Sequence, residues 1–238
     1  MELAGIDLAW HGEKNPSAIA VGNLEQNVLH LSELYPACIG IRDIMNISAN
    51  ACGIAIDAPL IINNASGQRE CEKKIGSMYG SRGASCHTSN LNLYPDALSV
   101  NFANALIAQG FSHLDTNKWI IECYPHPSLI EIFGLPERLK YKKGKKAVKI
   151  LGQVKLADLI KSLSESEILK FIIPKQFEKH LDEAYINKLI GKSIKTNEDV
   201  LDSIICLYIA GLYQLKKSGR LFGDKQNGYV WVPQGMCV

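Results

Sequence analysis

The stretch "GIDLAW", Gly5 to Trp10, decides how the chain is read. It has the character of a buried strand, yet it carries Asp7 at its centre. A carboxylate out of water is costly unless it is paired, hydrogen-bonded or holding a cation. The pattern returns as "GIAIDAPL", Gly53 to Leu60, with Asp57 again following an apolar run. Alternate residues of a strand share a face, so Asp7 lies with Gly5 and Ala9, and Asp57 with Gly53 and Ala55. Ile6, Leu8, Trp10, Ile54 and Ile56 take the opposite face. Both aspartates sit on faces cleared of bulk, and space beside a charge suggests a ligand or a cation.

Outward from these two strands, "LAGIDLAW", "SAIAVGNL" and "NVLHLSEL" read as three antiparallel strands separated by short breaks. Ile41, Ile44, Met45 and Ile47 have helical spacing, and a strand over 52–58 follows. Residues 60–117 are rich in Ser, Asn and Gly and read as an insertion with helices at 67–76 and 95–110. "KWIIECYP" is a strand and "HPSLIEIFG" a short helix closed by Gly134. This brings the strand count to five. A second insertion over 135–195 is expected to hold helices near 147–163 and 175–190. In "TNEDVLDSIICLYIAGLYQLKKSG", Thr196 or Asn197 can cap a buried helix that Gly219 stops, and "GYVWVP" reads as a final edge strand. The expectation is one α/β domain over residues 1–238.

Carboxylates recur where this order would bring them together. Glu122 ends an apolar strand, and strand ends are where sheets display chemistry. Asp199 and Asp202, three residues apart, share one face of the late helix. Clustered carboxylates raise one another's pKa unless a divalent cation neutralises them. Hard oxygen donors without a sustained His or Cys set point to Mg²⁺ or Mn²⁺, which suits metal-assisted phosphoester hydrolysis.

Composition limits the alternatives. A hydrophobic share of 47% argues for a globular chain, and a formal net charge of +2 is too small to argue nucleic-acid binding from the whole chain. No apolar run reaches the length of a membrane span, and "MELAGIDLAW" lacks a basic leader, so a cytoplasmic location without membrane partners is expected. Seven scattered cysteines without a CxxC read as reduced thiols. Oligomeric state is left open.

Local charge is more informative. Arg69 and Arg82 flank the Gly-rich "IGSMYGSRGAS", with Ser85 nearby, and forked guanidinium groups with flexible backbone amides suit a phosphate. The basic run "RLKYKKGKKAVK", with Lys142, Lys143 and Lys145, could follow a nucleic-acid backbone, with Tyr141 free to stack. A solvated loop and a solvated charged face are the alternative readings of these two stretches. His126 and His87 read as turn histidines satisfied by backbone, or as general acids or bases.

Seven stretches in order resemble one family, the DUF429 proteins, described as predicted nucleases with a ribonuclease H-like fold. They are "GIDLAW", "AIDAPL", "QRECEKKIGSMYGSRGASCHTS", "IIECYPHPS", "KYKKGKK", "EDVLDSIICLYIAG" and "GYVWVP". In the family's R-x-x-D element, Arg69 matches and Glu72 stands in place of the Asp. The resemblance implies a mixed five-stranded sheet, three antiparallel strands and then parallel ones, flanked by helices. It also implies a metal-dependent nuclease or phosphoesterase with Asp7, Asp57 and the pair Asp199 and Asp202 as metal ligands, and with Glu122 as a further acid. Arg69, Arg82, Ser85 and the lysines would hold the phosphates of a nucleic acid or a phosphorylated small molecule. The rival expectation is a binding module that keeps the acidic pocket without turnover.

Overall fold

The computed structural model describes residues 1–9, 15–38 and 40–236; Trp10 and Cys237 lie outside them. Glu2–Asp7 forms β1, Ser17–Glu25 β2 and Val28–Cys38 β3, paired antiparallel in sequence. Only Gln26 and Asn27 separate β2 from β3, and Gln26 takes φ 53°. Positive φ in a two-residue loop matches the twist of a hairpin.

The chain then passes through α1 (Ile41–Ile47) into β4 (Gly53–Ile56), which runs parallel to β1 with Gly5 opposite Ala55. The first insertion contains α2 (Glu70–Tyr79), α3 (Leu98–Ala108) and β5 (Ser112–His113). It returns to β6 (Trp119–Glu122), where Pro125 opens α4 (Pro125–Phe133) and Gly134, at φ 60°, closes it. The second insertion carries α5 (Lys146–Ser162), β7 (Lys170–Ile172) and α6 (Glu183–Asn187). It leads into α7 (Lys192–Gln214).

Among the described residues the main sheet has seven strands, in the order β5-β6-β4-β1-β2-β3-β7, and not the expected five. The two additions, β5 and β7, are two and three residues long and sit at the outer edges. Each pairs parallel with its neighbour. Strands this short leave no alternating pattern in the sequence, which is why the stretches holding them read as insertions.

"GYVWVP" is not an edge strand of that sheet. It forms β9 (Gly228–Pro233) of a separate hairpin with β8 (Gly219–Asp224), and a single parallel bridge joins Trp231 to Cys123. Its inner residues Phe222, Val230 and Val232 pack with Cys71, Ile75 and Tyr79 of α2.

The two faces of the main sheet are covered differently. Ala4, Ile6, Leu8, Ile54 and Ile56 pack with α1 and with Phe102 and Leu106 of α3. The other face, carrying Leu3, Ala18, Ala20, Ala55 and Ile121, lies under α7. Gly5 shows how closely α7 comes: a Cβ there would lie 2.0 Å from the Leu207 nitrogen and 2.4 Å from the Ser203 oxygen. The cleared face beside Asp7 therefore receives the helix backbone, and the space at Gly53 is filled by the Trp119 ring.

α7 starts earlier than its sequence suggests. It follows Gly191, so Thr196 and Asn197 lie inside it, and it ends at Gln214, before Gly219. Asn197 is buried and spends its side chain on Gln153 and His180 instead of capping. The helix expected over 175–190 is a 3₁₀ segment over Lys175–Leu181 followed by the short α6.

Candidate functional site

Parallel pairing aligns the carboxyl ends of β1, β4 and β6, placing Asp7, Asp57 and Glu122 along one rim of the sheet. The close approach of α7 at Gly5 sets the helix turn bearing Asp199 and Asp202 beside that rim. A cleft of about 690 Å³ opens there, lined by Asp7, Asp57, Asp199 and Glu122.

The acids divide into two groups. Glu122 is buried, and Arg69 holds it with two hydrogen bonds of 2.9 and 2.6 Å. The Leu60 N–H donates a third at 2.9 Å. Arg69 also donates to Glu72 at 2.8 Å, and Glu72 accepts from the Ser89 N–H and hydroxyl. Arg69 is only 3% exposed. Burial works against its charge, but Glu122, with Cys71 and Glu72 adding, holds the guanidinium firmly protonated. Burial leaves Glu122 somewhat above the usual carboxylate range, with Arg69 opposing. Glu72 completes this network.

The second group is less satisfied. One buried carboxylate oxygen of Asp7, Oδ2, has no hydrogen-bond partner. Burial pushes Asp7 well above the usual range, against the pull of Lys142 and with Asp202 and Asp199 adding to the rise. Burial raises Asp57 to about 7, again with Lys142 opposing and Asp7 and Asp202 adding. Asp199 is raised by burial and held back by Lys195 and by a hydrogen bond with the Asp7 carboxyl group. Asp202 is fully buried and accepts the Tyr141 hydroxyl on Oδ1 at 2.7 Å. Its Oδ2 has no hydrogen bond of good angle, but Lys142 Nζ stands 2.7 Å away. The same ammonium lies 3.5 Å from Asp57 Oδ2. Burial disfavours the charge on Lys142, yet Asp202, Tyr141 and Asp57 together hold its pKa well above the ordinary lysine value.

Lys195 and Glu198 complete the cluster and were missing from the sequence reading. Lys195 pairs with Glu198 at 3.0 Å and with Asp199. The signal was present, because a lysine three and four residues before two acids shares their helix face. Burial raises Glu198 to about 7.

The expected phosphate contacts separate. Lys142 and Lys143 line the cleft, with Arg138, Lys192 and Lys195, and Ser85 lines it as well. Arg69 also borders the cleft, but its guanidinium is buried and committed to two glutamates. Arg82 turns to the carbonyls of Leu135 and Pro136 and to Glu131. Lys145 is exposed and is not among the residues lining the cleft. Tyr141, expected to stack on a base, is fully buried because its hydroxyl serves Asp202.

His126 also departs from its reading as a turn histidine satisfied by backbone. It lines the cleft, is 3% exposed, and has no partner at Nδ1. Its ring stands edge-on to Tyr124 and Tyr141, with centroids 5.7 and 5.2 Å apart. Burial, then Lys142 and Arg138, lower its pKa well below the usual value, so it is neutral.

No three or more His, Cys, Asp or Glu side chains among the described residues converge as a ready cation cage. Ammonium groups stand instead against Asp57, Asp202, Asp199 and Glu198. The donor set still suits a hard cation, because the acids facing the cleft offer carboxylate oxygens and one of these, on Asp7, is buried without a partner.

Among the described residues, no helix is long and apolar enough to cross a membrane. The family model described as "Protein of unknown function (DUF429)" matches residues 5–227. Comparisons with curated proteins and with solved structures gave no match.

Proposed function

The chain belongs to the DUF429 family, and from that premise we propose that it is a divalent-metal-dependent phosphoesterase or nuclease. The partnerless buried oxygen of Asp7, at the floor of an open cleft, carries this reading. A buried, unsatisfied carboxylate among other carboxylates is costly, and a divalent cation is the partner that relieves it. The succession β3-β2-β1-β4-β6 within the larger sheet supports a ribonuclease H-like arrangement.

Asp7 and Asp57 would hold the cation, with Asp199 reaching in from α7. Mg²⁺ or Mn²⁺ would polarise the phosphoester and activate water. Asp202 is fixed by Tyr141 and presents Lys142 to the cleft. Glu122 stabilises the rim from below through Arg69. Arg138, Lys142, Lys143, Lys192 and Lys195 give the cleft a cationic wall that attracts a phosphate and shields its approach to the acids. A cleft of about 690 Å³ suits a nucleotide-sized group, either free or as part of a strand.

Thermal stability of wild type and Asp7→Asn with and without Mn²⁺ tests the metal part of this reading. Wild type is expected to gain several degrees with Mn²⁺ and the variant to gain none. A panel of single-stranded, duplex and junction nucleic acids and of nucleotide monoesters then tests hydrolysis. A binding module without turnover is the second reading, favoured by the ion pairs that already offset part of the acidic charge. Stabilisation by Mn²⁺ with no cleavage of any substrate selects it.

A further inference from the structure

The acid cluster contains more negative charge than its lysines balance. Among the described residues, Lys142 and Lys195 are the cations that pair with or act on Asp7, Asp57, Asp199, Asp202 and Glu198. With every acid ionised, three negative charges remain. One divalent ion would leave the cluster slightly negative and two would leave it slightly positive, so the charge count admits either and the geometry decides between them.

Lys142 occupies the place of a second cation. Its Nζ bridges two carboxylates from different elements, at 2.7 Å from Asp202 and 3.5 Å from Asp57. Its side chain is 21% exposed, so the ammonium also faces the cleft. Two neighbours fix this placement. Tyr141, immediately before it, is fully buried and hydrogen-bonded to Asp202, and Gly144, shortly after it, turns the chain away at φ 113° towards α5. Asp202 has its Oδ1 committed to Tyr141 and its Oδ2 against Lys142, so no oxygen of it faces the cleft uncommitted. The open donors are on the Asp7 side.

Resting on the metal-dependent reading above, the geometry points to a site for one divalent ion and one ammonium. Lys142 is its built-in second cation, held by Asp202 and Asp57 to face the substrate phosphate, and the ion belongs with Asp7 and Asp57. Asp202 is then the positioning residue for Lys142 and not a metal ligand. A single ammonium cannot be removed by a chelator, so that part of the site's positive charge is permanent.

The test is the stoichiometry and affinity of Mn²⁺ binding at fixed pH, measured by calorimetry and by the electron paramagnetic resonance signal of free Mn²⁺. It compares wild type with Lys142→Met, and uses Lys142→Gln should the methionine variant fold poorly. Wild type is expected to bind one ion. The Lys142 variants are expected to take a second ion, or to bind the first at least tenfold more tightly, because the competing charge is gone. Two ions in wild type overturn the assignment, as does one ion of unchanged affinity in the variants. Asp202→Asn separates the roles further. It is expected to retain single-ion binding within about threefold, and loss of binding overturns the placement of the ion on the Asp7 side. If neither wild type nor the Lys142 variants bind Mn²⁺, the metal-dependent reading fails and takes this assignment with it. The other adverse outcomes overturn the assignment alone.

Discussion

Two groups of acids share one cleft and are treated in opposite ways. Glu122 and Glu72 are held by Arg69, by the Leu60 and Ser89 N–H groups and by the Ser89 hydroxyl. Asp7, on the same sheet rim, keeps a buried oxygen without a partner, and Asp57 is touched by one ammonium at 3.5 Å. A carboxylate wrapped in donors is structural, since nothing further can reach its lone pairs. A carboxylate left short of donors in an open cleft is poised for something that arrives. Spacing in sequence could not separate the two groups, because Asp7, Asp57 and Glu122 all follow apolar runs.

Removing the centre of the satisfied group makes the largest difference. Arg69→Met leaves two buried glutamates without their cation, and a loss of about 3–5 kcal/mol is expected, read by urea unfolding. A loss below about 1 kcal/mol would show that Glu122 and Glu72 can protonate or reach water, and the contrast between the groups would collapse.

The unsatisfied group predicts a stability that depends on pH. Asp57 ionises near pH 7 in the fold and near its ordinary value of 3.8 when unfolded. Below both values neither state is charged and no penalty arises. Between them the unfolded chain has released its proton while the folded one keeps it. Metal-free protein should therefore lose stability as pH rises from about 4 to about 7 and then level off. Glu198, also raised to about 7, adds in the same direction. The contribution of Asp57 is at most about 4 kcal/mol, and Asp57→Asn should flatten the slope. A slope unchanged in that variant means that Asp57 does not carry the penalty.

Two smaller changes sharpen the comparison. Tyr141→Phe removes the hydrogen bond to Asp202 and is expected to cost about 1–3 kcal/mol, visible as a lower melting temperature. Lys145→Ala removes an exposed lysine outside the cleft and should stay within about 0.5 kcal/mol. A shift of more than 1 kcal/mol would mean that the basic loop has contacts beyond Lys142.

The sequence was most legible where periodicity and position coincide. The three antiparallel strands, the strand before Asp57 and the Asp199/Asp202 helix face all depend on repeats of two or of three to four residues. They could be read without tertiary information. What was not legible depended on long-range pairing. Arg69 lies 53 residues from Glu122, and nothing near either one says that they meet instead of facing a phosphate. Lys142 sits in a run of lysines whose members are alike in sequence. Only the buried Tyr141 beside it distinguishes the one that enters the acid cluster from Lys145, which stays in solvent. The cap of α7 was misplaced for a similar reason: Asn197 has capping chemistry but finds Gln153 and His180 in the core.

The two short outer strands have a consequence for how the molecule meets its own copies. β7 pairs with β3 only at Val28, Leu29 and His30, so on that side Leu31–Cys38 has no sheet neighbour among the described residues. An open strand is a template for another chain. Here the open stretch contains Glu33 and Pro36, a charge that resists stacking and a residue with no N–H to donate, and the pairing of β3 with β2 is also irregular in register. The rim is thus poorly suited to extending the sheet into a second molecule, and that protection lies in the primary structure of the strand.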